Sequence, residues 1–152
     1  MKKILFFITA VVIAVVSIVL AKPYVDNYKE KQKYAFNVDT IDGPIQLSDF
    51  KGKTVALYFG YMYCPDVCPT SLNMLSEGLN GLTKEELEGF KGVFISVDPA
   101  RDTLKNLKEY AQYFHPSFVG ATSNDENILE ITKNYGTFFR KEILPGSEMG
   151  YS

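Results

Sequence analysis

The sequence predicts an α/β domain with parallel strand pairing, set behind an apolar segment of membrane-spanning length. Three observations carry this. TVALYF at 54–59 and VFISV at 93–97 are short continuous apolar runs, as expected for strands covered on both faces. Apolar residues recur at helical spacing between and after these runs, so strands and helices alternate along the chain. Ahead of both, residues 4–21 form an uncharged stretch of 18 residues.

In chain order, the N-terminus comes first. Lys2 and Lys3 precede the apolar stretch and Lys22 follows it. A helix needs about 20 apolar residues to cross the hydrocarbon core, and the leading lysines favour a cytoplasmic N-terminus with the domain on the other side. Residues 1–21 therefore read as an uncleaved anchor. Val19, Leu20 and Ala21 make signal cleavage the rival reading. Residues 22–34, KPYVDNYKEKQKY, are polar and read as a tether to a domain over 35–152.

Phe36 and Val38 alternate with polar residues, Asp42-Gly43-Pro44 marks a turn, and Ile45 and Leu47 resume the alternation, which predicts a hairpin. The strand at 54–59 ends at Gly60. Beyond Pro69, Leu72, Leu75, Leu79 and Leu82 fall on one helical face. Thr83 and Glu86 have capping-box spacing. Asp98-Pro99 closes the second strand, and Asp102 is an expected N-cap for a helix to about 114. A third short strand is predicted at 118–121. A last helix carries Ile128, Ile131 and Tyr135, capped by Asn124 or Asp125 and closed by Gly136.

Composition narrows the function. The net charge is −2, so no basic field exists to hold a nucleic acid. With 46% hydrophobic residues, 10 Tyr and 11 Phe, the chain is globular rather than disordered. A single histidine, His115, leaves no Ser-His-Asp arrangement, and no glycine-rich phosphate loop occurs. Glu85, Glu86 and Glu88 read as a solvated helix face.

Chemistry concentrates in YMYCPDVCPT, residues 61–70, which holds both cysteines, Cys64 and Cys68, each followed by proline. The segment lies between a strand and a helix start, where the helix dipole and free N–H groups favour thiolate. Outside the cytoplasm a disulfide persists. A structural disulfide, a redox pair and a soft-metal site all use such thiols. Structural zinc wants four ligands, which two cysteines and one histidine do not supply. Cu(I) is satisfied by two or three soft ligands. Tyr58, Phe59, Tyr61 and Tyr63 flank the site, with alternate members expected in the core and Tyr61 or Tyr63 left to cover the cysteines or meet a partner.

YFGYMYCPDVCP resembles the signature of the SCO/SenC family of membrane-tethered copper proteins with a thioredoxin-like fold. DGPIQLSDFKGK, VFISVDPARDT and FHPSFVGAT resemble later segments of that family in the same order, over about residues 36–122. Met62 departs from the threonine often found there. The resemblance implies a thioredoxin-like domain with the hairpin as an N-terminal extension. It implies that Cys64 and Cys68 are copper ligands and the redox pair, and that Asp66 and Asp98 shape the local electrostatics. Arg101 and Asp102 are expected to serve as helix start and cap. The function implied is copper delivery to, or thiol maintenance at, the binuclear copper site of cytochrome c oxidase during assembly. The alternative is a thiol–disulfide oxidoreductase of the extracytoplasmic space. The partner implied is the copper-site subunit of the oxidase, approached from a bacterial cytoplasmic membrane held through residues 4–21.

The family's third copper ligand is a late-loop histidine. EMGYS at 148–152 resembles the lead-in to that loop, so the sequence leads us to expect a domain lacking its last strand or strands and final helix. His115 is expected at a helix end rather than on the metal. Without the third ligand, Cu(I) is expected to bind and Cu(II) poorly.

Overall fold

The computed structural model describes residues 2–142, in two units divided at Tyr34 and Ala35. The first unit is one helix, α1, Lys2–Lys33, which runs through Pro23 and takes in the polar stretch read above as a tether. Its segment Phe6–Lys29 is long and apolar enough to cross a membrane.

The second unit opens with the predicted hairpin. Strands β1, Asn37–Thr40, and β2, Gly43–Gln46, pair antiparallel with Val38 opposite Ile45. The turn is tighter than expected, because Gly43 and Pro44 already belong to β2. Gly43 has φ of 119°, a conformation that suits glycine. A short 3-10 helix, Leu47–Phe50, leads to the sheet.

That sheet has three parallel strands among the described residues: β3, Thr54–Gly60; β4, Phe90–Ser96; and β5, Phe118–Ala121, in the order β3-β4-β5. β4 lies in the middle and is buried from Gly92 onward. β3 was expected to be covered on both faces, yet it is an edge strand among the described residues and is half-buried along most of its length. The register pairs Thr54 with Phe90 and Gly60 with Ser96, so β3 and β4 end level. The Val97 N–H donates to the Gly60 carbonyl at 2.8 Å and locks those ends together.

Helices α2, Val67–Asn80, α3, Lys84–Glu88, and α4, Leu104–Phe114, form the parallel crossovers. Leu72 and Leu79 of α2 and Leu107 and Ala111 of α4 pack with Phe94 and Phe118 on one face of the sheet. The other face carries the hairpin residues Phe36 and Val38 together with Val93, Ile95 and Val97 of β4 and Ile128 and Ile131 of α5, Asp125–Asn134. Asp39 exchanges backbone hydrogen bonds of 2.7 and 3.0 Å with Thr122, which fastens the hairpin beside β5. Adjacent strand residues point to opposite faces: Tyr58 stacks on Phe94, while Phe59 meets Tyr135. Tyr61 packs on the Phe59 face and Tyr63 is half-exposed.

The predicted caps form in two of three cases. Thr83 and Glu86 make the capping box of α3, and Asn124 accepts from the Asn127 N–H to start α5. The third differs. The cap of α4 is Thr103, whose hydroxyl accepts from the Asn106 N–H at 3.3 Å, and Asp102 is turned into the protein instead. Gly136 closes α5 with φ of 70°. The expected missing strands and helix, and the segment EMGYS, lie outside the described residues.

Candidate metal centre

Gly60 delivers the chain from β3 into a tight turn in which the Cys64 N–H donates to the Tyr61 carbonyl at 3.2 Å. Helix α2 begins three residues after Cys64, and Cys68 sits in its first turn, with Pro69 at a position where no N–H partner is needed. Cys64 is half-buried and Cys68 is buried, at 5% exposure. Both are free thiols, and the Cys68 N–H donates to Cys64 Sγ at 3.4 Å.

The two sulfurs differ in character. Burial pushes the Cys64 thiol up, but backbone N–H groups of Cys68, Asp66 and Val67, with the Cys68 thiol, outweigh it and leave Cys64 below its ordinary value. This is the helix-start effect expected from the sequence. Burial dominates at Cys68, and the neighbouring Cys64 reinforces it. A hydrogen bond from the Tyr61 backbone opposes both, and Cys68 is pushed up to about 11. The outer sulfur is thus the readier thiolate.

Room for the inner sulfur depends on Gly60. A Cβ at that position would stand 2.9 Å from Cys68 Sγ, 3.0 Å from Phe94 and 3.1 Å from Tyr58. Two soft sulfurs beside one another at a helix N-terminus fit a thiophilic monovalent ion. Among the described residues no group of three or more His, Cys, Asp and Glu is placed to hold a metal. His115 ends α4, its Nδ1 against the Ser117 hydroxyl at 2.6 Å, as expected from the sequence.

Around the thiols, Arg101 pairs with buried Asp98, and its guanidinium lies 5.8 and 5.1 Å from the ring centres of Tyr61 and Tyr63. Lys141 also reaches Asp98, at 3.4 Å. Arg101, expected to mark a helix start, therefore ties the aromatic flank of the cysteine loop to Asp98. A small open cleft lies beside this cluster, lined by Tyr61, Asp98, Arg101 and Lys141 but not by the thiols. Asp102, expected as the cap of α4, is 1% exposed. One carboxylate oxygen accepts from the Met62 N–H at 3.0 Å and from the Ser96 hydroxyl. The sequence carried no signal of this, because the two partners lie 40 and 6 residues away.

Residues 25–151 match the family described as SCO1/SenC. A SCO2-like protein of Rickettsia conorii is 40% identical over 120 residues, covering 77% of this chain and 58% of its own length. The chain therefore spans a little over half of that relative. The apo Sco1 protein of Thermus thermophilus superposes with a TM-score of 0.69 at 37% identity, over 76% of this chain and 67% of that one. ScoI of Arabidopsis thaliana, solved with copper bound, superposes with a TM-score of 0.68 at 32% identity, over 77% of this chain and 72% of that one. The domain has the Sco1-type thioredoxin-like fold expected from the sequence.

Proposed function

The chain belongs to the SCO1/SenC family, and from that membership we propose that it carries copper as Cu(I) on Cys64 and Cys68. It delivers that copper to the binuclear site of cytochrome c oxidase, or keeps that site's thiols reduced, during assembly. The observation that carries the reading is the juxtaposition of two free thiols at the start of α2, Cys64 Sγ accepting from the Cys68 N–H. Copper in the Arabidopsis relative supports the cargo. Cys64, already biased toward thiolate, is the first ligand, and Cys68 supplies the second from the floor of the site. Gly60 leaves the space for it, and the Phe94 and Tyr58 rings border that same space. Holding Cu(I) requires both thiols to lose their protons.

The apolar segment within Phe6–Lys29 anchors the protein in a bacterial cytoplasmic membrane. Lys2 and Lys3 hold the N-terminus inside and place the domain outside. The oxidase subunit that carries the copper site is the partner.

The test is a Cu(I) titration of the detergent-solubilised full chain under reducing, anaerobic conditions. One equivalent is expected to bind, and Cys64→Ser and Cys68→Ser are each expected to abolish tight binding. Stoichiometric binding that survives both substitutions would sink the assignment.

A second reading rests on the inequality of the two sulfurs. A half-buried thiol whose ionisation is favoured, beside a buried one, also suits exchange. Cys64 attacks a substrate disulfide and one substrate thiolate leaves. Cys68 then attacks Cys64 Sγ and releases the other, so the dithiol loses two electrons and the substrate gains them. Catalytic turnover of a disulfide substrate without copper would favour this reading.

A further inference from the structure

We propose that Asp102 is a positioning residue for the thiol pair, acting through the backbone of residues 61–64 rather than on the sulfurs themselves. The inference deepens the copper reading above and rests on it for its affinity measurement alone.

The argument starts from a cost. A carboxylate that is 1% exposed is expensive to keep in an interior. Asp102 does not cap α4, since Thr103 does. Its Oδ1 has no hydrogen-bond partner among the described residues, while Oδ2 takes two donors at once, the Met62 N–H and the Ser96 hydroxyl. An apolar side chain would fill the place more cheaply if packing were the only demand.

What Asp102 holds explains why it is there. The Cys64 N–H closes its turn on the Tyr61 carbonyl, which leaves the Met62 N–H directed elsewhere, and Asp102 takes it at 3.0 Å. The Cys68 N–H in turn donates to Cys64 Sγ at 3.4 Å, so the turn that carries Cys64 also sets its place beside Cys68. The peptide units around Tyr61 and Met62 therefore set the turn that places Cys64 against Cys68, and Asp102 fixes their orientation. Ser96 completes the tie. It stands at the end of β4, its hydroxyl also accepts from the Asp98 N–H at 3.0 Å, and it pairs across the sheet with Gly60. Asp102 thus links the ends of both strands to the loop that grows from them. Outer hydrogen bonds of this kind orient metal ligands that they do not themselves join.

The experiment compares Asp102→Ala, Asp102→Asn and Leu107→Ala with the parent chain in detergent. The readouts are Cu(I) affinity by chelator competition, the Cys64:Cys68 alkylation ratio by mass spectrometry, and exchange of the Met62 amide. Asp102→Ala is expected to weaken Cu(I) binding about tenfold, bring the alkylation ratio toward unity and speed Met62 exchange. Asp102→Asn keeps an acceptor of the same size and is expected to stay within about threefold of the parent. Leu107→Ala loses core packing in α4 and is expected to lower stability while leaving affinity and ratio unchanged.

Parent-like affinity and ratio in folded Asp102→Ala would overturn the proposal, as would an equal shift in Leu107→Ala. If Asp102→Ala does not fold, Ser96→Ala removes the companion donor and is expected to act in the same direction, by about threefold. Parent values there would overturn it too. Failure of the parent to bind Cu(I) would count against the copper reading, and the alkylation ratio and amide exchange would still judge Asp102.

Discussion

A methyl group on Gly60 would sit 2.9 Å from the sulfur of Cys68, so the last residue of β3 is small because the inner thiol occupies the space beside it. Phe94 and Tyr58 close the same space at 3.0 and 3.1 Å, and Phe94 is itself 1% exposed. Gly60→Ala is expected to cost about 1–3 kcal/mol of stability through overpacking. It is also expected to weaken Cu(I) binding, because the short Cys68 side chain is the group that must move. Denaturant unfolding with chelator competition checks both. A stable variant of undiminished affinity would show that the sulfur has room to spare.

The two thiols should separate on a pH axis. Cys64 lies below its ordinary value and Cys68 is pushed up to about 11. As pH rises, alkylation of Cys64 is expected to switch on first, and that of Cys68 to follow only in the alkaline range. Peptide mapping after timed alkylation between pH 5 and about 10.5 resolves the order, and Cys68 reacting first would contradict it.

The same burial makes a stability prediction. A group whose folded value is raised contributes stability that is fully present below its ordinary value, about 8.5 for a thiol, and is lost as pH rises through the folded one. For Cys68 that window runs up to about 11. Tyr110, pushed up to about 12 by burial, acts in the same sense at higher pH. The denaturation midpoint is expected to fall above pH 8.5, and less steeply in Cys68→Ser. Identical slopes would remove Cys68 from the account.

At the other end of the sheet Gly120 has no latitude. A Cβ there would lie 2.0 Å from the backbone carbonyl oxygen of Leu107, which cannot rotate away as a side chain can. Gly120→Ala is expected to force α4 off β5 and to reach or exceed the upper end of the usual overpacking cost of about 1–3 kcal/mol. Thr83→Ala is a milder contrast. It removes the cap of the five-residue helix α3 and is expected to cost about 1 kcal/mol. Thermal unfolding of the two variants side by side ranks them.

Much of this architecture was legible because it depends on neighbours in the chain. The hairpin and the capping box at Thr83 and Glu86 rest on contacts a few residues apart, and both form, the hairpin turn tighter than read. The alternation of Tyr58 and Phe59 across the sheet follows from the two-residue period of a strand. What the sequence hid depends on distance. Asp102 has the composition and position of a helix cap, and only the folded chain brings Met62 within its reach. Arg101 likewise reads as a helix start until Asp98, Tyr61 and Tyr63 gather around it. The edge position that β3 has among the described residues was invisible for another reason, since an apolar run reports hydrophobicity and not how many strands lie alongside.

The unequal depth of Cys64 and Cys68 carries a consequence for how a bound ion would leave. Among the described residues the outer sulfur is the more open to a recipient, since Cys64 is half-buried and Cys68 is buried. If both sulfurs hold the ion, exchange would therefore begin by replacing Cys64, with Cys68 as the last bond to break. Burial alone would give the hand-over a fixed order.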